Sequence, residues 1–313
     1  MNNTHELHVI FGSGPVGSTI AEELQHRGKQ VRLINRSGKA NVSTDIEVVA
    51  GDAMNTTVVR DLSKDASVVY NCMNVPYAEW TETLFHLQEN LIAGAGVANA
   101  KLIVTDTLYM YGETHGRVMT EATPHSATTR KGQLRAKLAS AYLQAHKDEK
   151  VRVAIGRAAD FFGPRVLNSA LGERVFPAAL THKSVVLLGN INLPHSYSYM
   201  KDVARGLIIL GERDEALGQD WLLPVAPAVT QREMCGIIGK ELGYPLRIQA
   251  IPKLLVRLLG ISSIQMREFV EMMYEYTEPQ IVDASTFKQT FGMDATPLDE
   301  ALRATISWYR DRD

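Results

Sequence analysis

The chain has 313 residues, 45% hydrophobic and 22% charged, with 33 Lys plus Arg against 35 Asp plus Glu and a formal net charge of -2. These proportions exclude disordered, collagenous and coiled-coil classes, and the near-neutral balance gives no electrostatic drive toward nucleic acid or an anionic membrane. Cys72 and Cys235 fit no CxxC or Cys/His pattern, so neither a disulfide framework nor a structural zinc site is expected, and a reducing compartment fits. The N-terminus lacks the basic start and apolar run of a signal peptide, and no stretch approaches the ~18 consecutive apolar residues of a membrane span. A cytoplasmic, soluble protein is expected.

Along the first half, short apolar runs alternate with helical patterns. The predicted strands are Leu7 to Phe11, Gln30 to Asn35, Glu47 to Ala50, Ser67 to Cys72, Lys101 to Thr105 and Arg152 to Gly156, rich in Val, Ile and Leu and therefore buried on both faces. Between them Val16 to His26, Thr56 to Leu62, Glu79 to Ala98 and Lys131 to His146 read as helices. Regular alternation of this kind predicts an α/β fold with a doubly wound parallel sheet of the Rossmann type.

After about Pro164 the pattern loosens, with more proline, isolated strand-like runs at Ser184 to Leu188 and Trp221 to Val225, and helix-capping signals such as Thr230 before Gln231-Arg232-Glu233. A first domain over 1–165 and a smaller, mostly helical substrate-side domain over 166–313 are expected, their elements free to interleave. The stripe Phe269, Met272, Met273, Tyr276 has the i, i+3, i+4, i+7 spacing of core packing.

Gly12-Ser13-Gly14-Pro15-Val16-Gly17 is a G-x-G-x-x-G that leaves an apolar strand and opens a helix. That arrangement makes a tight turn at Gly12, lets a pyrophosphate approach the backbone at Gly14, and packs the helix closely at Gly17, with its N-terminus facing the phosphate charge. Nineteen residues beyond Gly17, where an acidic residue would hold a ribose 2′-hydroxyl, stands Arg36 between Asn35 and Ser37. A guanidinium forks onto a phosphate, so NADP(H) is favoured over NAD(H).

These residues and those that follow resemble the extended and atypical short-chain dehydrogenase/reductases, the NAD(P)-dependent epimerase/dehydratase-like family, over most of the chain. Gly51-Asp52, with Ala53, closes the third strand where the family sets an aspartate against the adenine. Asn71-Cys72-Met73-Asn74 ends the fourth strand where it passes the cofactor, Asn71 and Met73 toward the dinucleotide and Asn74 toward the substrate. Thr105-Asp106-Thr107-Leu108-Tyr109-Met110-Tyr111-Gly112 is similar to the family's fifth strand and its S-S-x-x-x-Y-G ending, which implies a cofactor contact at Thr105 and the catalytic hydroxyl at Thr107. Arg157 to Pro164 resembles R-x-x-N-x-Y-G-P, with Asp160 and Phe161 where cofactor and substrate meet, and Tyr199-Met200-Lys201-Asp202-Val203-Ala204 resembles Y-V-x-D-V-A.

The resemblance breaks at the family's Y-x-x-x-K, whose Lys lowers the phenol pKa and holds the nicotinamide ribose. Lys137, 30 residues after Thr107, stands at the lysine position, and four residues before it is Gln133. A one-turn shift offers Lys131 and Arg135, again without a tyrosine. An amide exchanges no proton at a useful pKa, so Tyr109 is taken as the substitute acid/base, with Tyr111, His115 and His125 as other nearby donors. Nucleotide-sugar members carry an arginine four residues before Y-V-x-D to hold a diphosphate; here His195 stands there, with Tyr197 following. A smaller or less anionic substrate is implied, lined by His195 and Tyr197.

No H-E-x-x-H, H-x-H or G-x-S-x-G occurs, so no metal and no α/β-hydrolase chemistry is expected. Two functions are consistent with the residues. One is an NAD(P)(H)-dependent oxidoreductase or epimerase/dehydratase-like enzyme on a small carbonyl or hydroxyl substrate; the other is an NADP(H)-binding sensor or scaffold that has lost its proton donor. The resemblance also implies a homodimer through the helices after the fourth and fifth strands.

Overall fold

A computed structural model describes residues 6–252 and 270–312. The chain forms two compact units, each assembled from separate stretches: unit 1 runs to Thr107 and adds Gln133–Arg157 and Val203–Leu223, while unit 2 comprises Leu108–Gly132, Ala158–Asp202 and the chain from Pro224 onward.

Unit 1 is built on seven parallel strands. In chain order these are β1 (Leu7–Phe11), β2 (Gln30–Asn35), β3 (Glu47–Ala50), β4 (Ala66–Asn71), β5 (Lys101–Asp106), β6 (Arg152–Arg157) and, further along the chain, β11 (Asp220–Leu222). They lie in the order β11-β6-β5-β4-β1-β2-β3, every neighbouring pair parallel. The inner strands β1, β4, β5 and β6 are buried along most of their length, which explains their near-continuous apolar sequence. Edge strand β3 keeps both terminal residues exposed.

Helices α1 (Pro15–His26), α2 (Thr56–Ser63), α3 (Trp80–Val97) and α4 (Arg130–Lys147) make the crossovers. Pro15 opens α1, where its missing N–H costs nothing, and the Asn55 side chain caps α2 by accepting from Thr57 N and Val58 N. At the foot of β1, His8 is fully buried against the Tyr70 hydroxyl, 3.2 Å away, and burial pulls its pKa down to about 4.

The run Trp221 to Val225, assigned from sequence to the second half, is instead the seventh strand of this sheet, shortened to Asp220–Leu222 and paired with β6. The crossover that delivers it is α6 (Met200–Glu212), whose Val203, Ala204, Leu207 and Ile208 are buried. A Cβ at Gly156 of β6 would stand 2.7 Å from Leu207, so glycine lets this helix close on the sheet. Sequence periodicity hid the unit because residues 158–202, inserted between strand and helix, fold into unit 2. The cut placed at 165 therefore falls inside unit 2.

Among the described residues unit 2 contains three two-stranded ladders. β7 (Asp160–Phe162) pairs with β10 (Tyr197–Tyr199), β8 (Val185–Leu188) with β13 (Ile248–Ile251), and β9 (Pro194–His195) with β12 (Val229–Thr230). Among the described residues its helices are α5 (Phe176–Leu180), α7 (Gln231–Leu242), α8 (Ser285–Phe291) and α9 (Leu298–Arg312). Val175, Phe176, Met234, Ile238 and Leu302 form its core, with Phe176 stacked on Tyr309 at 4.9 Å. The cap expected at Thr230 is present as a full capping box with Glu233. Of the apolar stripe, Met272, Met273 and Tyr276 are buried, but in a 3-10 turn (Met273–Tyr276); Phe269 lies outside the described residues.

Candidate functional site

In unit 1 the three motif glycines have three different reasons to be glycine. Gly12 has φ +104°, and a Cβ there would stand 2.7 Å from the Cys72 carbonyl oxygen, at the point where the strand order reverses between β1 and β4. At Gly17 a Cβ would lie 1.9 Å from Gly12 O, so only glycine lets α1 pack on the turn. Gly14 is exposed, with nothing within 4 Å of an added Cβ. Its bare backbone caps the helix N-terminus and borders open space, the requirement for close approach of an anion. Ser13 carries the turn's carbonyl that accepts from Ser18 Oγ at 3.0 Å, and Pro15 and Val16 are half-buried in the first helical turn.

Asn35 ties the second loop to the first. Its Nδ2 donates to Ser13 Oγ at 2.7 Å and to Lys39 O at 2.8 Å, while its Oδ1 accepts from Ser37 N at 3.0 Å and Gly38 N at 2.7 Å. Arg36, in the turn so held, is exposed and makes no hydrogen bond or ion pair among the described residues. Asp52, exposed after β3, accepts from Met54 N at 3.0 Å, and buried Ala53 offers its carbonyl to Asn90.

At the ends of β4 and β5, Asn71 is fixed by two contacts: it donates to the Tyr142 hydroxyl at 3.0 Å and accepts from Met73 N at 3.2 Å. Asn74 is exposed. Burial pushes the Cys72 thiol up to about 12, against a weaker opposing hydrogen bond from Thr105, so it remains an inert thiol at neutral pH. Thr107 N donates to Asp106 Oδ1 at 2.9 Å, whereas Thr107 Oγ1 is buried without a hydrogen-bond partner. An unsatisfied buried hydroxyl is uncommon in folded proteins.

Helix α4 carries the two basic candidates, Arg135 and Lys137. Gln133 and Lys137 are both exposed. At about 100° per residue, Lys137 points some 200° away from Arg135. Arg135 faces inward: its Nη1 lies 3.4 Å from Asp106 Oδ1, its guanidinium sits 4.2 Å over the Trp80 ring, and its Nε is buried and unpartnered. Asp106 is also 3.7 Å from Arg157, which is fully buried and pairs with Asp220 at 2.6 Å. A small cavity of about 20 Å³, room for one water, lies between Asn71, Thr105, Asp106, Arg135 and Tyr142. One turn before Arg135, on the same face, stands Lys131, 4% exposed and paired in unit 2 with Glu271 through both its ammonium (2.8 Å) and its backbone N–H (3.0 Å).

In unit 2, Tyr109 opens a 3-10 turn (Tyr109–Tyr111) and is half-buried; Tyr111 is fully buried with its ring edge on His125. His115 and His125 are exposed, His115 lying 3.4 Å from Glu278. Asp160 and His195 meet: His195 Nε2 is 3.1 Å from Asp160 Oδ2, and the Tyr276 hydroxyl donates to the same oxygen at 3.0 Å. Tyr197 lies beside the His195 ring at 4.6 Å, and Phe161 is half-buried next to Asp160 on β7.

The sequence profile of the NAD dependent epimerase/dehydratase family matches residues 9–223. The chain belongs to the NAD-dependent epimerase/dehydratase family. Solved structures of the same fold include a nucleoside-diphosphate-sugar epimerase from Pseudomonas aeruginosa, with TM-score 0.77, 17% identity and 99% of each chain covered. A UDP-N-acetylglucosamine 4-epimerase from Methanobrevibacter ruminantium gives TM-score 0.81 at 17% identity, covering 98% of this chain and 99% of that one. A UDP-glucuronic acid 4-epimerase from Bacillus cereus, solved with UDP-glucuronic acid and NAD, gives TM-score 0.79 at 16% identity, covering 98% and 100%. No curated protein matches the sequence.

Within this epimerase/dehydratase fold, sequence reasoning named Arg135 only as a one-turn shift from Lys137, read Tyr276 only as core, and gave Trp80 and Tyr142 no place. A signal for the first was present: Leu134, Leu138, Ala139 and Tyr142 form the apolar stripe of α4, and Arg135 lies on that stripe while Lys137 lies off it. Tyr276 carried none, because its partner Asp160 is 116 residues away.

Proposed function

We propose that this family member is an NADP(H)-dependent oxidoreductase or epimerase-like enzyme acting on a small carbonyl or hydroxyl substrate that is not a nucleotide sugar. The observation that carries the cofactor reading is the bare, open backbone of Gly14, in a loop that Asn35 ties to the turn carrying the unpaired Arg36, two features that suit a pyrophosphate and a 2′-phosphate. In this reading Gly12 to Gly17 take the pyrophosphate, Asn35, Arg36 and Ser37 the 2′-phosphate, Asp52 and Ala53 the adenine, and Asn71, Met73 and Thr105 the rest of the dinucleotide. When bound, that group supplies the hydride chemistry of the family.

The chain's own residues then have distinct tasks. The unpartnered Thr107 hydroxyl hydrogen-bonds the reacting oxygen, and Arg135 takes the orienting role that the sequence alone suggested for Lys137. Tyr109, two residues after Thr107, is the substitute proton donor. Asn74, Asp160, Phe161, His195 and Tyr197 are the substrate-side residues. The Asp160 carboxylate argues against a diphosphate, since like charges repel across a partly buried space by several kcal/mol (about 4 at 4 Å and an effective dielectric of 20).

The loss of a tyrosine from α4 favours a second reading, an NADP(H) sensor without turnover. Fluorescence titration with NADPH and NADH, repeated on Arg36→Ala, tests the cofactor assignment: NADPH is expected to bind more tightly and to lose that advantage in the variant. Equal binding of both, unchanged in Arg36→Ala, would defeat it. Stopped-flow mixing of the NADPH complex with a carbonyl panel separates enzyme from sensor by whether NADPH is oxidised. A homodimer through α3 and α4 is part of the proposal, and a monomer mass by light scattering at micromolar protein would remove it.

A further inference from the structure

One face of helix α7 borders an open groove within unit 2. Arg232, Gly236, Lys240 and Gly243 follow one another at i, i+4, i+8 and i+11, which sets them in a single row along the helix, and all four are exposed. The groove between this row and the chain from Tyr244 to Ile248 measures about 620 Å³, within the roughly 300–1,000 Å³ of small-molecule sites. Leu246, Ile248 and Cys235 give it an apolar lining, and burial pushes the Cys235 thiol up to about 11, so that lining carries no negative charge at neutral pH.

Three glycines line the groove, and the fold accounts for two of them. Gly243 is the left-handed C-cap of α7, with φ +82°, and a Cβ on Gly239 would stand 2.8 Å from Tyr244 O. Gly236 lies inside the helix, where glycine is less favourable than alanine, and nothing is within 4 Å of an added Cβ. Neither backbone conformation nor packing calls for glycine at this position. Its missing side chain leaves width in the groove and a bare stretch of helix backbone facing it.

The charge at the groove has one sign. Among the described residues its charged side chains are Arg232 and Lys240, eight residues and therefore about 12 Å apart along the helix axis, and neither makes an ion pair. Arg232 is braced through Nε, which donates to Asn192 Oδ1 at 2.8 Å and leaves the two terminal nitrogens for an oxyanion. It also stands in the first turn of α7, where the helix dipole disfavours a cation and favours an anion. The carboxylates of α7 are occupied elsewhere, Glu233 in the capping box with Thr230 and Glu241 with Arg303 at 3.2 Å.

These features select a ligand chemistry. An inorganic anion would use the cations and leave the apolar lining in water, whereas a neutral apolar molecule would cover the lining and gain nothing from the cations. We infer that this face of α7 is a binding site for an elongated organic anion with a flat apolar body, its acid group on Arg232 and its body lying along Gly236 toward Lys240. The site shares no residue with those assigned above to cofactor or substrate.

The test uses the full chain with 8-anilinonaphthalene-1-sulfonate as anionic probe and N-phenyl-1-naphthylamine, the same body without the sulfonate, as neutral probe, both followed by fluorescence. The sulfonate is expected to bind the wild type saturably and at least about tenfold more tightly than the amine, because the amine forgoes a charge-assisted contact. Its affinity is expected to fall about tenfold in Arg232→Ala, severalfold in Lys240→Glu, and about tenfold or more in Gly236→Leu, which fills the groove. Gly236→Leu is expected to keep or raise Tm, since leucine is the better helix former and its Cβ meets open space, so lost binding in that variant is not lost folding. Absence of saturable sulfonate binding, binding of the amine as tight as that of the sulfonate, or equal sulfonate affinity in the wild type, Lys240→Glu and Gly236→Leu would overturn the assignment. Displacement of the sulfonate by NADPH would move the probe to the glycine loop and overturn it as well. A light-scattering mass that falls by half in Gly236→Leu would assign the face to a second copy of the chain and remove the small-ligand reading.

Discussion

Exchanging Arg135 for Ala, with Lys137→Ala in parallel, tests which side of α4 serves the β5 end. Arg135 loses a largely desolvated contact with the Trp80 ring at 4.2 Å, worth about 1–2 kcal/mol, and a long charge-assisted hydrogen bond to Asp106 at 3.4 Å, worth about 1 kcal/mol at that length. Asp106 is not stranded, because Thr107 N and Arg157 remain at 2.9 and 3.7 Å, so the expected cost is about 2–3 kcal/mol in urea unfolding. Lys137 is exposed, and its removal is expected to stay within about 0.5 kcal/mol. In fluorescence titrations NADPH is expected to bind Arg135→Ala about tenfold more weakly and Lys137→Ala as tightly as the wild type, with Arg135→Lys in between because it keeps the charge but loses the planar fork. If Lys137→Ala lost as much affinity or stability as Arg135→Ala, the assignment of the inward face would be wrong.

The glycine loop separates fold from binding: Gly17→Ala would drive a Cβ to 1.9 Å from Gly12 O and is expected to unfold the loop, detectable as loss of soluble protein or a large fall in Tm. Gly14→Ala meets open space, so thermal unfolding should change by about 1 kcal/mol or less while NADPH affinity drops. Arg157→Met strips Asp106 and Asp220 of a fully buried partner and is expected to cost about 3–5 kcal/mol in urea unfolding; a cost below about 1 kcal/mol would mean that the network adjusts. His8 binds its proton more weakly when folded (pKa about 4) than when unfolded (about 6.5), so between those values the unfolded chain holds more protons. Its contribution is full above pH about 6.5 and is lost as pH falls toward 4, about 3 kcal/mol in all; His8→Leu should flatten this part of the stability profile, and an unchanged profile would count against a neutral buried His8.

Much of unit 1 was legible because its signals are local. β2 and β3 follow the predicted runs, and α1 to α4 lie within a residue or so of theirs, since a strand covered on both faces needs a continuous apolar run and a crossover helix needs one apolar side. The role of each motif glycine was also readable, because a turn, a close approach and a bare backbone are demands made by neighbours in sequence.

What stayed hidden depends on residues distant along the chain. Asp220–Leu222 carries no mark of its parent sheet, since the strand it pairs with is more than 60 residues earlier and unit 2 is inserted between them. Asp160, His195 and Tyr276 meet across 116 residues. The sequence by itself therefore determined six of the sheet's seven strands, the helices α1 to α4 and the glycine loop, where each requirement is met within a few residues. Only the tertiary structure decided which charges face inward and which meet one another, because burial and pairing of a charge are properties of the packed chain and not of any one segment.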